Sequence, residues 1–213
     1  RESVEALVAE LRGSFRRMFP RVAGNPDYTA IISDRHLLRL RGLLEEAAAA
    51  GARVLPLADE DPAAAERERR MILHVVIDPP ADVALMREEI FGPILPIVPV
   101  DGFDEAVAHV KARPHPLALN YFGRSREEQH RVVRELHAGT VCLNDAIFQV
   151  AVEDLPFGGV GESGMGNYHG EEGFYPFSHA KGVFSRPRFN TARVFHPPYG
   201  STLQRLILKL FMR

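Results

Sequence analysis

Segments with helical periodicity alternate with short, β-branched apolar runs along most of this chain. Apolar residues recur at helical spacing over 2–19, and Ser33 is placed to cap a second helix that runs to Ala50 and ends at Gly51. The same patterns predict helices over 103–113 and 125–137, and strands over 53–57, 71–77, 94–100, 117–122 and 140–144. This alternation predicts an α/β fold in which helices flank a largely parallel sheet. Residues 58–70 are charged and alanine-rich, which indicates a surface segment.

Composition limits the classes of function. A chain of 213 residues with 46% hydrophobic content can bury the core of one large domain or two small ones. A net charge of −2 offers no long-range attraction to nucleic acid or anionic membranes. No apolar run approaches the ~18 residues of a membrane span. The single cysteine excludes an internal disulfide and fits a reducing, cytoplasmic setting.

One short stretch, Glu88-Glu89-Ile90-Phe91-Gly92-Pro93, combines two carboxylates, an aromatic ring and a Gly-Pro turn. Gly92 is expected to take a backbone path closed to other residues, and Pro93 fixes the chain direction into the next strand. On an extended backbone neighbouring side chains point to opposite sides, so Glu89 and Phe91 would share a side. That predicts an acceptor for hydroxyl groups beside a flat ring that could pack on a heterocycle. The alternative is that the carboxylates are solvated and the ring belongs to the core.

Three other features carry weaker signals. Residues 159–164 match G-x-G-x-x-G, but they follow a loop and no acid lies ~20 residues further on, so we expect a glycine-dense loop packed beneath a pocket. Cys142 lies between Val141 and Leu143 in a predicted strand with no basic neighbour, which indicates a buried, inert thiol. The nine histidines show no H-x-H or H-E-x-x-H spacing, so no metal site is expected.

Several motifs, taken in order, resemble the aldehyde dehydrogenase superfamily. They are Glu-Glu-Ile-Phe-Gly-Pro at 88–93, Leu-Pro-Phe-Gly-Gly-Val-Gly at 155–161, Ser-Gly-Met-Gly at 163–166, Tyr-His-Gly at 168–170 and Phe-Ser-His at 177–179. The Gly-Met-Gly-x-Tyr-His-Gly form is similar to the class 3 branch, and especially to coniferyl-aldehyde dehydrogenases. The resemblance runs from about Tyr28 to the C-terminus. It implies oxidation of an aldehyde, aromatic in this branch, to its carboxylic acid with NAD or NADP, through a cysteine thiohemiacetal and thioester.

The resemblance also implies roles for individual residues. Glu89 would accept hydrogen bonds from the nicotinamide ribose, and Phe91 would pack near the nicotinamide ring. Tyr168 and His169 would lie at the active-site pocket, where they could hydrogen-bond water or substrate and tune a nearby thiolate. The wall of the aldehyde site would be formed by Asn144, Ile147, Phe148 and Phe157. Relatives often carry His where this chain has Gln149, which leaves the choice of substrate open.

Domain organisation follows from the same resemblance. Residues 1–180 would be a catalytic domain that is incomplete at its N-terminus, and 181–213 would add a strand at 181–186 and a tail helix. The tail helix places Leu203, Leu206 and Leu210 opposite Arg205, Lys209 and Arg213, so it could lie on a membrane surface or, as we expect, dock on its own protein or a second subunit of a homodimer. The nucleophilic Cys, the general-base Glu and the dinucleotide-binding domain would lie upstream of Arg1, so the chain alone is expected to be inactive.

Two other interpretations are compatible with the sequence. The chain could act by itself as a non-catalytic binding or assembly domain, with the tail helix and residues 181–186 as contact surfaces. It could also belong to a semialdehyde or acyl-reducing enzyme of the same superfamily, although the Tyr168-His169-Gly170 motif argues against that reading.

Overall fold

The computed structural model describes residues 1–186, 188 and 196–211, and in it helices and strands alternate much as the sequence predicts. Within these residues the α-helices are α1 (Val4–Met18), α2 (Asp34–Ala49), α3 (Pro62–Glu66), α4 (Phe103–Lys111), α5 (Arg126–Glu135), α6 (Phe148–Ala151), α7 (Gly170–Phe174) and α8 (Thr202–Phe211). The strands are β1 (Arg53–Pro56), β2 (His74–Ile77), β3 (Ile94–Ile97), β4 (Ala118–Tyr121) and β5 (Thr140–Leu143).

The strands form a three-stranded sheet in the order β1-β2-β3 and a two-stranded sheet of β4 and β5. β2 runs parallel to β3 with Val75 opposite Leu95, and β4 runs parallel to β5 with Asn120 opposite Cys142. β1 pairs antiparallel with β2. The predicted α/β class with mainly parallel pairing is therefore confirmed, with the antiparallel β1 on the outer edge of its sheet.

The chain divides into two compact units. The first contains Arg1–His115 and Gly123–His137, and the second contains Pro116–Phe122 and Ala138–Arg213.

The core of the first unit has two layers, one on each face of the β1-β2-β3 sheet. Val76 packs with the buried stripe of α2, which includes Leu40 and Leu44. Its neighbour Val75 points the other way, into a cluster with Phe15 of α1 and Tyr28. Because successive strand residues face opposite sides, the apolar run in β2 supplies both layers at once.

The helix ends of the first unit are set by local chemistry. The Ser33 hydroxyl accepts a hydrogen bond from the His36 backbone N–H at 3.2 Å and so caps α2, as predicted. Gly51 follows the last turn with φ of +93°, a conformation that favours glycine, and its N–H bonds back to Ala48. These two ends fix the length of the helix against which residues 88–93 pack.

Two segments differ in part from what the sequence predicts. Residues 58–70 are not only a surface segment, because Asp61 caps the short helix α3 and Ala65 is fully buried in the first unit. Residues 181–186 form no strand in the described structure. Val183 and Phe184 are more than 80% exposed there (83% and 86%), and a strand requires a neighbour with which to exchange backbone hydrogen bonds.

The second unit has the β4-β5 sheet, α6, α7 and the tail helix α8. Many of its large apolar side chains are exposed, among them Phe148, Met165, Phe174 and Phe177. In α8, Leu203, Leu206 and Leu210 are exposed, while Arg213 of the predicted polar side lies outside the described residues. Among the helices that the structure describes, none combines the length and apolar character needed to cross a bilayer.

Candidate active-site segments

Residues 88–93 lie against α2 in the first unit, and α2 determines their conformation. The His36 imidazole Nε2 lies 2.8 Å from the Phe91 carbonyl oxygen. The Arg39 guanidinium donates to the Ile90 carbonyl oxygen. The Ile90 side chain packs against the core layer that contains α2. The segment is thus held by its backbone and by the Ile90 side chain, and the side chains of Glu89 and Phe91 are exposed.

Phe91 adopts a φ of +46°, in the left-handed region. The prediction that residues 89–91 are extended was therefore wrong, and the alternation argument that placed Glu89 and Phe91 on one side does not apply. A bulky residue in this region costs on the order of 1–3 kcal/mol and persists only where surrounding contacts impose it. Here those contacts are the hydrogen bonds from α2. The Phe91 ring is 73% exposed, so it is not part of the core.

Gly92 is required for a different reason from the one that the sequence suggested. Its φ does not lie in the left-handed region. A Cβ added at Gly92 would instead lie 2.5 and 2.6 Å from the two methyl carbons of Leu40, which is fully buried. Glycine is needed because the backbone crosses directly over α2. From there the chain enters β3, where the His74 N–H donates to the Pro93 carbonyl oxygen at 3.0 Å.

The two neighbouring carboxylates differ in their partners. Glu88 forms an ion pair with Arg39 at 3.4 Å. Glu89 is exposed and has neither a hydrogen-bond nor an ion-pair partner among the residues that the structure describes. Of the two carboxylates, that of Glu89 is the one without a partner among the described residues, and the role predicted for it from the sequence stays a prediction.

A cleft of about 320 Å³ opens at Pro93, lined in part by Phe19, Tyr28 and Ile31. Glu89 and Phe91 are not among its lining residues. The two side chains are instead presented at an exposed surface of the first unit. In Tyr28, burial and the nearby carboxylate of Glu60 raise the pKa to about 12, and its hydroxyl donates to the Met71 carbonyl oxygen at 2.7 Å.

Phe157, Tyr168 and His169 come together in the second unit. Phe157 and Tyr168 form an antiparallel bridge with two backbone hydrogen bonds of 3.0 and 2.9 Å. The Tyr168 ring lies 5.4 Å from the Phe157 ring and 4.3 Å from the His169 ring, each near edge-to-face. Phe157 is half-buried within this aromatic group, which we call the aromatic trio.

His169 precedes α7 and has a φ of +79°. Its Nδ1 atom is buried and has no hydrogen-bond partner among the described residues, whereas the Tyr168 side chain is 49% exposed. A buried ring nitrogen without a partner is costly unless water or a ligand satisfies it. The trio therefore offers one phenol and one imidazole nitrogen for hydrogen bonding beside an apolar ring.

The loop that follows β5 exposes apolar side chains through an unusual backbone. Asn144 and Ile147 have φ of +59° and +74°, and the Ile147 and Phe148 side chains are 78% and 69% exposed. Gln149 points the other way: it is buried, and its Nε2 donates to Asn120 Oδ1 at 3.2 Å. Its Oε1 is buried without a partner among the described residues. Gln149 thus anchors the loop to β4 while Ile147 and Phe148 face outwards.

The glycine-dense loop after Phe157 has no dinucleotide-binding geometry. Gly161–Ser163 form a single 3-10 turn rather than the start of an α-helix. A Cβ at Gly158 would lie 2.0 Å from the Gly166 carbonyl oxygen, and one at Gly159 would lie 2.0 Å from that of Ser163. The expected close backbone packing is confirmed, and it supports the strand-like stretch that carries the aromatic trio.

Neither Cys142 nor the acidic residues add a metal site or a buried thiol to the part of the chain that the structure describes. Cys142 lies in β5 as predicted, but it is half-buried rather than buried. Groups of three or more His, Cys, Asp or Glu side chains suited to a metal ion are not found within residues 1–186, 188 and 196–211.

Sequence reasoning missed His36, Arg39 and Asn120. His36 and Arg39 are three residues apart beside the buried stripe of α2, which is a signal that they share a face near the core boundary. Nothing in the sequence indicates that their partners are 51 and 55 residues further along the chain.

The chain is similar to known aldehyde dehydrogenases over nearly its whole length. Residues 1–183 match the model of the aldehyde dehydrogenase family, so the chain belongs to that family. It is 50% identical to the probable coniferyl aldehyde dehydrogenase of Pseudomonas aeruginosa, over 99% of this chain and 43% of that protein. It is 38% identical to the coniferyl aldehyde dehydrogenase of Pseudomonas sp. strain HR199, over 97% of this chain and 43% of that protein. The chain therefore spans less than half the length of these relatives.

Among solved structures, the substrate-bound state of Staphylococcus aureus AldH matches all of this chain with 34% identity and a TM-score of 0.83, and this chain covers 45% of it. The fold is also similar to that of a Mycobacterium tuberculosis aldehyde dehydrogenase complexed with NAD⁺ (25% identity, TM-score 0.66, covering 76% of this chain and 33% of that one). It is likewise similar to the fold of an NADP-dependent glyceraldehyde-3-phosphate dehydrogenase from Bacillus halodurans complexed with NADP (23% identity, TM-score 0.66, covering 78% of this chain and 34% of that one). The family and the fold expected from the motifs are confirmed.

Proposed function

We propose that residues 1–213 are part of an NAD(P)-dependent aldehyde dehydrogenase that oxidises an aromatic, coniferyl-type aldehyde to its acid. The observation that carries this proposal is the segment 88–93, in which a free carboxylate and an exposed ring are held in a strained turn on α2. The identity of 50% to a probable coniferyl aldehyde dehydrogenase supports the substrate class. Below, "the complete enzyme" means the protein that contains this chain together with the part that its relatives have in addition.

Glu89 and Phe91 fit the nicotinamide end of the cofactor. A carboxylate without a protein partner can accept bonds from the two hydroxyls of a ribose. An aromatic ring that is 73% exposed offers a flat apolar surface to a heterocycle. When bound, the cofactor supplies the acceptor for a hydride from the substrate carbon. The task of Glu89 and Phe91 is to fix ribose and ring in one orientation, and such alignment can be worth on the order of 7–11 kcal/mol of barrier.

The second unit would provide residues for the aldehyde. Ile147 and Phe148 present apolar surface, with Asn144 at the start of their loop and Phe157 in the aromatic trio. Tyr168 and His169 would hydrogen-bond the water or the substrate oxygen, and the buried Nδ1 of His169 supports this because it needs such a partner. The thiol nucleophile and the general base would come from the rest of the complete enzyme, with a thiohemiacetal and then a thioester formed on that cysteine.

We also propose that the complete enzyme is a cytoplasmic homodimer. We assign 1–180 to the catalytic domain and 181–213, with the exposed apolar side of α8, to contact with a second subunit of a homodimer. The presence of a single cysteine fits a cytoplasmic enzyme. A homodimer in sedimentation analysis that dissociates when Leu206 and Leu210 are replaced by Asn would support the contact, and an unchanged dimer would contradict it.

The test of the activity is a panel of substrates offered to the complete enzyme with NAD⁺ and with NADP⁺. Coniferyl aldehyde and other aromatic aldehydes are expected to give a higher kcat/KM than short aliphatic semialdehydes, and acyl thioesters are expected not to be reduced. A preference for a semialdehyde or for thioester reduction would favour another branch of the family.

The 213 residues alone are expected to give no aldehyde-dependent NAD(P)H. If they do, the chemistry has been placed in the wrong residues. An assembly domain would be favoured by two results together. The purified chain would assemble into defined oligomers, and changes in this chain would leave cofactor binding by the complete enzyme unaffected.

A further inference from the structure

We propose that His36 and Arg39 are positioning residues for the cofactor: they hold the Ile90–Phe91 backbone in the turn that presents Glu89 and Phe91 to the nicotinamide riboside. The inference rests on the proposed function of Glu89 and Phe91 and assigns a role to two side chains of α2 that would touch neither substrate nor cofactor. We call the two residues the α2 clamp.

The hydrogen bonds of the clamp indicate which ring nitrogen of His36 carries the proton. A carbonyl oxygen only accepts, so Nε2 of His36 must carry the proton that is donated to Phe91 at 2.8 Å. Nδ1 of the same ring lies 3.4 Å from Nε of Arg39, which only donates. These contacts correspond to the tautomer with its proton on Nε2. Arg39, His36 and the Phe91 carbonyl form a directed chain in which each group donates to the next.

Arg39 engages the segment at two further points. One terminal nitrogen donates to the Ile90 carbonyl oxygen, and the other lies 3.4 Å from the Glu88 carboxylate. A planar guanidinium can direct donors to three separate acceptors, and an ammonium group on a flexible stem cannot do so in this geometry. The Arg39 side chain is 31% exposed, so these bonds are partly shielded from water. Arg39 pairs with Glu88, whereas the neighbouring Glu89 has no partner among the described residues.

The clamp acts on the one residue of the segment whose conformation needs support. Phe91 has a φ of +46°, which is unfavourable for a side chain of this size. Two consecutive carbonyl groups, those of Ile90 and Phe91, are held from α2, so the turn cannot relax towards an extended path without breaking both bonds. The next residue, Gly92, rests on Leu40 of the same helix. One helix thus fixes three successive backbone positions.

Loss of the clamp should therefore affect one end of the cofactor. A relaxed segment would have to be reordered when the nicotinamide riboside binds. The binding affinity would then equal that of the ordered segment multiplied by the fraction of molecules that are in the competent conformation. The adenosine end of the cofactor does not meet Glu89 or Phe91 in the proposed function. The affinity of the enzyme for a ligand that contains only the adenosine end should therefore not change.

The experiment measures the binding of two probes to the complete enzyme by calorimetry: the cofactor that supports turnover, and ADP (or its 2′-phosphorylated counterpart), which lacks the nicotinamide riboside. The R39Q variant is expected to bind the cofactor about tenfold more weakly than the parent does, which is the loss expected when hydrogen bonds to a charged group are removed. Its affinity for ADP should stay within about twofold of the parental affinity. R39K should lie between R39Q and the parent, because it keeps the charge opposite Glu88 but loses the fork.

A matched control is available on the same helix. Arg41 also forms an ion pair, with Glu66, and takes no part in the contacts with residues 88–93. R41Q should leave both affinities unchanged. Hydrogen exchange gives a readout without cofactor: the peptide covering 88–93 should exchange faster in R39Q and at the parental rate in R41Q, with the rest of the first unit unaffected.

A Glu89→Gln arm separates the two hypotheses. If E89Q weakens cofactor binding and R39Q does not, the clamp is refuted while the proposed function stands. If E89Q has no effect on cofactor binding or on hydride transfer, the proposed function of the segment is wrong. Equal loss of cofactor and ADP affinity in R39Q would also overturn the clamp, because it would show a general structural defect. Should R39Q not fold, H36A replaces it with the same expected split between the two probes.

Discussion

Replacing Gly92 by alanine tests whether the 88–93 segment lies on α2 as described. The new Cβ would lie 2.5, 2.6 and 3.1 Å from three carbon atoms of the Leu40 side chain. Leu40 is fully buried, so its methyl groups cannot move into solvent and must push on their neighbours in the α2 layer. Overpacking of this kind costs about 1–3 kcal/mol, and loss of the glycine's freedom in the unfolded chain returns about 0.4–1 kcal/mol. We expect a net destabilisation of about 1–2 kcal/mol.

Urea unfolding of the 213-residue chain, followed by far-ultraviolet circular dichroism because there is no Trp, measures this change. Gly42, in the middle of α2, is the control: a Cβ there would meet nothing within 4 Å. G42A should be stabilising by up to about 1 kcal/mol, since alanine favours a helix over glycine. In the double variant G92A/L40A the new methyl group should fill part of the space left by Leu40, so its cost should be less than the sum of the two single changes. A neutral or stabilising G92A, or strict additivity with L40A, would refute the packing described.

Three further predictions concern the folded chain. Burial raises the pKa of Tyr28 to about 12 in the folded chain, from near 10 in the unfolded chain. The contribution of Tyr28 to the free energy of unfolding is therefore complete below pH ~10 and is lost as the pH rises towards 12, by on the order of 1–3 kcal/mol. Unfolding at several alkaline pH values should show this loss in the parent and not in Y28F, and equal slopes would contradict it. S33A removes the acceptor that caps α2 and should lower the free energy of unfolding by about 1 kcal/mol, whereas S14A, in the middle of α1, should change it by less; equal losses would argue against a cap. Hydrogen exchange should be slowest around Val75 and Val76, which are fully buried in the first unit, and fast in α7 and α8, most of whose large apolar side chains are exposed (Phe174, Leu203, Leu206, Leu208 and Leu210). Uniform protection would contradict the described burial.

The regular elements could be read from the sequence because their causes are local. α1 and α2 begin and end within about two residues of the predicted limits, since apolar spacing, the Ser33 hydroxyl and the freedom of Gly51 act over a few residues. β2 was expected to be longer than it is, because an apolar run does not show where a strand loses its partner. The burial of Ala65 in a charged segment was missed for a related reason: a single small residue at the core boundary leaves no periodic pattern.

The candidate site was only partly predictable. Glu89 and Phe91 were found through their motif, but the reason offered for their arrangement was wrong, because the left-handed φ of Phe91 is imposed by His36 and Arg39 from another part of the chain. Gly92 shows the same limit. Its residue type was informative, whereas the atom that excludes a side chain belongs to Leu40, 52 residues earlier. Contacts at such separation depend on tertiary packing, which the sequence pattern of one segment does not contain.

The most direct test of the account is a single turnover of the complete enzyme with E89Q, in which acylation of the thiol and formation of NAD(P)H are followed separately. E45Q, which removes an exposed carboxylate of α2, controls for the loss of charge. The account predicts that E89Q forms NAD(P)H at least tenfold more slowly while thiol acylation by an activated ester is unchanged, and that E45Q resembles the parent. An unchanged rate of NAD(P)H formation in E89Q would show that the carboxylate and ring ahead of Gly92 do not hold the reactive end of the cofactor.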